Sequence, residues 1–114
     1  MTNDTALKQH YDTHGYVVVP SLFDASEVQL LRNTTDQIIE SARGKSESDA
    51  IHDLEDSHNP KDAPRVRRIK DPVQQFDTYS ALAGSEKLLS ILRTLLGHNV
   101  RFHSSKINIK SATY

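Results

Sequence analysis

Residues 99–114 read NVRFHSSKINIKSATY, and the apolar positions of this stretch change sides partway along it. As an extended chain, Val100 and Phe102 fall on one face with Ser104, Lys106, Asn108 and Lys110, whereas Ile107 and Ile109 fall on the other with Arg101, His103 and Ser105. A simple half-buried strand keeps its apolar residues on one side. The change of side predicts a strand packed on helices through Ile107 and Ile109, with the Ser104, Lys106, Asn108 and Lys110 face lining a polar cavity. Hydroxyl, ammonium and amide groups at alternate positions can orient a small dicarboxylate. An exposed polar face on an edge strand has the same spacing, so the pattern alone leaves both readings open.

Working back from this stretch, AGSEKLLSILRTLLGHN predicts a helix capped by Ser85, striped by Leu88, Leu92 and Leu95 with Leu89 and Leu96 beside it, and stopped by Gly97. Before it, Asp71 can cap a helix with Pro72 at its first position and Val73, Phe76 and Tyr79 on its buried side. PRVRRIKDP is basic, and Val66 and Ile69 are its apolar positions. Residues 44–64 are acidic, with Glu47, Asp49, Asp53, Glu55, Asp56 and Asp62 against Lys45 and Lys61, and read as a mobile loop or cover. Asp24 with Glu27 three residues later forms a capping box, so a long helix is expected. Its stripe is Val28, Leu31, Ile38 and Ala42, widened by Leu30, with Gly44 as the stop. Tyr16–Val19, ended by Pro20, reads as a brief strand, and Thr5–Thr13 as a short helix closed by Gly15.

The bulk numbers narrow the classes of function. A length of 114 residues suits one modest core, so a single domain over residues 1–114 is expected, containing the acidic loop at 44–64. The net charge of -1 gives no basic excess to attract nucleic acid or an anionic membrane. Without cysteine the chain has no disulfide, thiolate metal site or cysteine nucleophile. No apolar run has the length of a signal peptide core or a membrane span, and a cytoplasmic location is the expectation.

Two groups carry metal-binding residue types. His10, Asp12 and His14 stand at alternate positions, but on a helix His10 and His14 share a face at i, i+4 while Asp12 points away, so the expectation is surface histidines near a helix C-terminus. His52, Asp53, Asp56 and His58 form the second group, in the most polar part of the chain, and read as a solvated acidic loop. Arg65, Arg67, Arg68 and Lys70 could hold a phosphate, a carboxylate or a coenzyme A tail, or pair with the acidic residues before them.

YDTHGYVVVPSLFDASEVQLLR, the basic segment ending in Asp-Pro, and LLSILRTLLGHNVRFHSSKINIKSA together resemble the N-terminal region of the phytanoyl-CoA dioxygenase family, which includes ectoine hydroxylase. The resemblance implies an α+β fold in which N-terminal buttressing helices lead into the first strands of a double-stranded β-helix, a cupin-like jelly roll, here truncated. It also implies Fe(II) as metal, 2-oxoglutarate as co-substrate, and hydroxylation of a small-molecule or acyl substrate. Asn108 matches a position that contacts 2-oxoglutarate in family members. Ser104 matches another co-substrate position, at which Gln is frequent. The family's His-x-Asp motif follows the KINIK strand, so the metal triad is expected beyond Tyr114 and the segment alone is expected to be inactive. The competing expectation is a small helical protein-binding module that uses the Arg65–Lys70 basic patch.

Overall fold

A computed structural model describes residues 3–110. Helix α1 (Asp4–His14) begins at Asn3, whose side chain accepts a hydrogen bond from the Ala6 amide, and ends at Gly15 in the left-handed region. Tyr16–Val19 then runs without strand pairing among the described residues, contrary to the expectation of a strand there. Its residues have strand propensity, but no neighbouring strand lies beside them, and Tyr16 and Val18 remain 60% and 70% exposed.

Helix α2 (Ala25–Glu40) starts at the expected capping box: the Glu27 amide donates to the Asp24 carboxylate at 2.8 Å, and the Asp24 amide donates back to Glu27 at 2.9 Å. Of its predicted stripe, Ile38 and Ala42 are buried and Leu31 packs beside them. Leu30 is exposed and does not widen the buried side.

The largest departure from the sequence reading concerns residues 44–64. They are not simply a mobile loop. His52–Leu54 forms β1, which pairs antiparallel with β2 (Val66–Lys70) from the basic stretch, and β2 pairs antiparallel with β3 (Lys106–Asn108). The order β1-β2-β3 makes the basic stretch the centre of a small antiparallel sheet. Between Asp53 and Leu54 the register slips, because Asp53 lies opposite Arg68 while Leu54 lies opposite Val66. Arg67 is the extra residue of this bulge, and so both Arg67 and Arg68 escape the buried face.

Two short helices replace the single one expected after Asp71: α3 (Pro72–Gln75) and α4 (Asp77–Ala83), broken where Phe76 takes an extended conformation. Asp71 does not cap α3 with its side chain. The role falls to Ser105, whose hydroxyl accepts from the Val73 amide and donates to Asp71, each at 3.1 Å. These bonds hold Asp71 at a φ of 42°, an uncommon region for a residue other than glycine. Helix α5 (Glu86–Leu96) follows with Ser85 at its N-cap position, but the Ser85 hydroxyl donates back to the Leu82 carbonyl at 2.8 Å and makes no capping bond; its most buried residue is Ile91 rather than the leucines, and Leu96 stays exposed.

The core gathers Ile38 and Ala42 from α2, Val66 and Ile69 from β2, and Tyr79 from α4, with Ile107 and Ile109 packed against it. The predicted inward face of the last strand is therefore observed. The strand itself is shorter than the sequence suggests: residues 100–105 are irregular, and the part of the expected strand beyond residue 110 lies outside the described residues. The three strands and flanking helices form a mixed α and β unit with a small antiparallel sheet, in keeping with the front of a larger barrel, but they do not themselves build a double-stranded β-helix.

Candidate functional site

Cross-strand geometry assembles a polar patch on the sheet face opposite the core. His52, Ile69 and Ile107 lie side by side across the three strands and point inward. Their neighbours along the strands point outward, so Asp53, Arg68 and Asn108 form one transverse row, and Lys70 and Lys106 form the next. Backbone bonds from Ile109 N to Arg67 O and from Asp71 N to Ser105 O mark the hydrogen-bonded pairs of the β2–β3 ladder. Arg68–Asn108 and Lys70–Lys106 are then the non-hydrogen-bonded pairs, in which side chains approach most closely.

The charges of this patch are unevenly matched. The Asp53 carboxylate is shared by Lys70 at 3.1 Å and Arg68 at 3.7 Å. Lys70 also donates to the Asp49 carbonyl at 2.7 Å. Lys106 faces Lys70 and forms no hydrogen bond or ion pair among the described residues, and Arg68 Nε is buried with no hydrogen-bond partner. Asn108 is exposed beside them, with its amide free to donate and accept. Ser104 is also exposed but lies two residues before β3, outside the ladder. Of the two positions singled out from the sequence, the sheet thus brings Asn108 to the cationic row. It leaves Ser104 in irregular chain next to it.

Sequence reasoning offered Arg68 and Lys70 as anion-binding or acid-pairing residues but did not place them, or Asp53, on one face with Asn108. The signal was present in the alternation of Arg68, Ile69 and Lys70, but the bulge at Arg67 hides it, since strict alternation would pair Arg68 with Val66.

The other two arginines of the basic stretch, Arg65 and Arg67, have structural partners. Arg67 bonds Glu55 at 3.2 Å and reaches Asp56 at 3.8 Å. The Glu55 carboxylate beside the Arg67 guanidinium raises the arginine's proton affinity further. Arg65 donates to the Ser57 hydroxyl at 3.2 Å.

Neither group of potential metal ligands forms a site. On α1, His10 and His14 stack with ring centroids 4.4 Å apart while Asp12 turns away to pair with Lys8 at 3.1 Å, as the helical reading expects. In the acidic segment, His52 and Asp53 point to opposite sides of the sheet. His52 is not solvated: it is 1% exposed, its Nε2 contacts the Ile38 carbonyl at 2.8 Å, and its Nδ1 contacts the Asp49 carboxylate at 3.0 Å. Burial opposes ionisation of Asp49. Amide donors from His52 and Ile51, the Lys45 ammonium and the His52 ring nevertheless hold its carboxyl well below the usual carboxylate range. His58 accepts from the Arg65 amide at Nδ1, at 3.0 Å, and so donates from Nε2 to the Lys45 carbonyl at 2.8 Å. Both histidines fasten the acidic segment to its surroundings. No group of three or more His, Cys, Asp or Glu among the described residues could hold a metal ion. No helix among them is long and apolar enough to cross a membrane.

The chain is 34% identical over 103 residues to a probable alpha-ketoglutarate-dependent hypophosphite dioxygenase of Stutzerimonas stutzeri, a match that covers 90% of the chain and 36% of that protein. It is 24% identical to an ectoine dioxygenase of Stutzerimonas stutzeri, over 91% of the chain and 32% of the relative, and 26% identical to an ectoine dioxygenase of Sphingopyxis alaskensis, over 96% and 35%. The chain thus spans about a third of the length of the curated relatives it matches. No solved structure matches it. The family model for phytanoyl-CoA dioxygenase matches residues 11–113, almost the whole chain, and the protein therefore belongs to the phytanoyl-CoA dioxygenase family.

Proposed function

We propose that this chain is the N-terminal part of an Fe(II)- and 2-oxoglutarate-dependent dioxygenase that hydroxylates a small-molecule or acyl substrate in the cytoplasm, without nucleic acid or membrane as partner. The observation that carries the proposal is the family match over residues 11–113, which runs through β3 and its outward polar face. The printed name of one relative, alpha-ketoglutarate-dependent, supports 2-oxoglutarate as co-substrate.

Within the chain, the chemistry assigned to this face is binding and orientation. Asn108 offers an amide to a carboxylate oxygen, Ser104 offers a hydroxyl from the adjoining chain, and the sheet fixes the Asn108 backbone against Arg68. The residues present do not fit an iron site, since no triad of suitable ligands exists among the described residues. The ligands are assigned to the part of the enzyme that the relatives possess beyond the matched third, and this segment alone is assigned no turnover. The binding-module alternative has less support, because Val66 and Ile69 are core residues and Arg67 is occupied by Glu55 and Asp56.

The test is to read the coding frame past residue 114. A His-x-Asp or His-x-Glu motif shortly downstream is expected. A stop codon directly after Tyr114, or a long continuation without the motif, would sink the proposal.

A further inference from the structure

We infer that Ser105 and Asp71 are positioning residues for 2-oxoglutarate: the hydrogen bond between them fixes the register of β3 on β2 and so sets where the Asn108 amide stands. This inference deepens the dioxygenase reading and rests on it, since that reading supplies the ligand.

Little else holds β3 in place. The strand is three residues long, stands at an edge of the sheet among the described residues, and follows irregular chain at residues 100–105. Its apolar pattern is weakly selective. If β3 slipped by two residues, so that Ile107 lay opposite Asp71, Ile109 would take the place opposite Ile69 and the inward face would stay apolar. Asn108 would remain on the outward face but stand opposite Lys70 instead of Arg68, about 7 Å from its present position. A displacement of that size takes an amide out of hydrogen-bonding reach of a fixed ligand.

The Asp71–Ser105 pair separates the two registers. It continues the ladder one step beyond Lys70–Lys106, with the Asp71 amide donating to the Ser105 carbonyl at 3.1 Å. The serine side chain is part-buried on the side of Ile107, donates to the Asp71 carboxylate, and accepts from the Val73 amide in α3, each at 3.1 Å. Isoleucine in its place would give neither group a partner.

Asp71 pays for this arrangement in backbone strain. A residue before proline is driven toward extended backbone, yet Asp71 stands at φ 42° and ψ 56°, in the left-handed region. Such strain lowers stability and persists only where neighbours over-determine it. They do so from both sides: Ser105 from the β3 side, and Gln75, whose side-chain amide donates to the carbonyls of Lys70 and of Ala50 before β1. The bend at Asp71 is thus a fixed anchor, and β3 is tied to it by bonds that the observed register permits and the slipped one does not.

The test uses the protein expressed from the full coding frame with Fe(II), at a temperature where circular dichroism shows each variant folded. Ser105→Ala should raise the KM for 2-oxoglutarate about threefold to tenfold, the effect of one lost hydrogen bond, and leave kcat within about twofold. The Kd for 2-oxoglutarate, measured by calorimetry without turnover, should rise with it. Ser105→Thr keeps the hydroxyl and should restore the parent values. Asp71→Gly accepts the left-handed backbone without strain but gives Ser105 no acceptor, so its KM should rise too, and it decides alone if Ser105→Ala fails to fold. In the Asn108→Ala background, Ser105→Ala should add less than about twofold, because the residue it positions is gone. The inference is overturned if KM and Kd keep their parent values in Ser105→Ala and Asp71→Gly, if Ser105→Thr is as impaired as Ser105→Ala, or if the effects of Ser105→Ala and Asn108→Ala multiply in full. A parent that turns over while any of these results is seen keeps the dioxygenase reading; a parent that forms no succinate sinks both.

Discussion

His52 lies in the most acidic part of the chain, yet its ring reaches across to the end of α2 and closes the core. Its two nitrogens find the Ile38 carbonyl and the Asp49 carboxylate, and Ser41 donates to the same carbonyl. His52→Ala should therefore destabilise the fold by about 2–4 kcal/mol, as expected for a buried side chain with hydrogen bonds to a charged group; chemical denaturation measures it, and a loss under 1 kcal/mol would mean that the contact is incidental. Asp49 gives a pH signature. Its carboxyl is held below the ordinary range in the folded chain, so its contribution is fully present above the unfolded value of about 4 and is lost as pH falls below it. Thermal midpoints should fall in acid below about pH 4, and Asp49→Asn should flatten that limb and lower stability at neutral pH. Neither role is legible in IHDLEDSHNP itself. The composition says solvent, and only the distant partner at Ile38 turns His52 inward.

At the level of elements, the sequence signals that proved strongest were those that a few neighbouring residues settle alone. The Asp24–Glu27 box, the Gly15 cap and the leucine-rich α5 are local in this sense. Strands are less legible because pairing is long-range. Tyr16–Val19 has the composition of a strand and pairs with no strand among the described residues, while VRRIK looks like a charged linker and becomes the central strand. The reason is that two apolar residues, Val66 and Ile69, reach the core on either side of a bulge. Ile69 is fully buried, and Ile69→Ala should cost about 2–5 kcal/mol. Val18→Ala, at an exposed position of the unpaired segment, should change the denaturation midpoint by no more than about 0.5 kcal/mol in free energy. Equal effects of the two substitutions would contradict the assignment of β2 as the centre of the fold.

On the scale of the whole molecule, the shape departs from that of a self-contained domain. The radius of gyration is 17.1 Å and the extents are 52 × 27 × 26 Å, whereas a compact chain of this length has a radius of about 13 Å. Tyr16, Val18, Leu96 and Phe102 stand exposed, spread over both the α1 and α5 ends. The isolated chain should accordingly bind a hydrophobic dye and melt over a broad range, and a sharp cooperative transition without dye binding would contradict this picture. Family membership was legible in GYVVVPSLFDASEVQLLR and LLGHNVRFHSSKINIK, and the family match over residues 11–113 takes in both stretches. The composition of the polar face was only half legible: Asn108 lies in the recognisable strand, whereas Arg68 and Lys70 join it through a sheet whose register the bulge conceals.

The central claim is that the outward face of β3 orients 2-oxoglutarate in a complete dioxygenase. Its most direct test is the KM for 2-oxoglutarate of the protein expressed from the full coding frame with Fe(II), measured by succinate formation for the parent and for Asn108→Ala. Loss of the Asn108 amide should raise that KM by about tenfold, the effect of one hydrogen bond to a charged group, because Asn108 is exposed and its removal leaves the core untouched. An unchanged KM at full activity, or no succinate formed by the parent, would contradict the account.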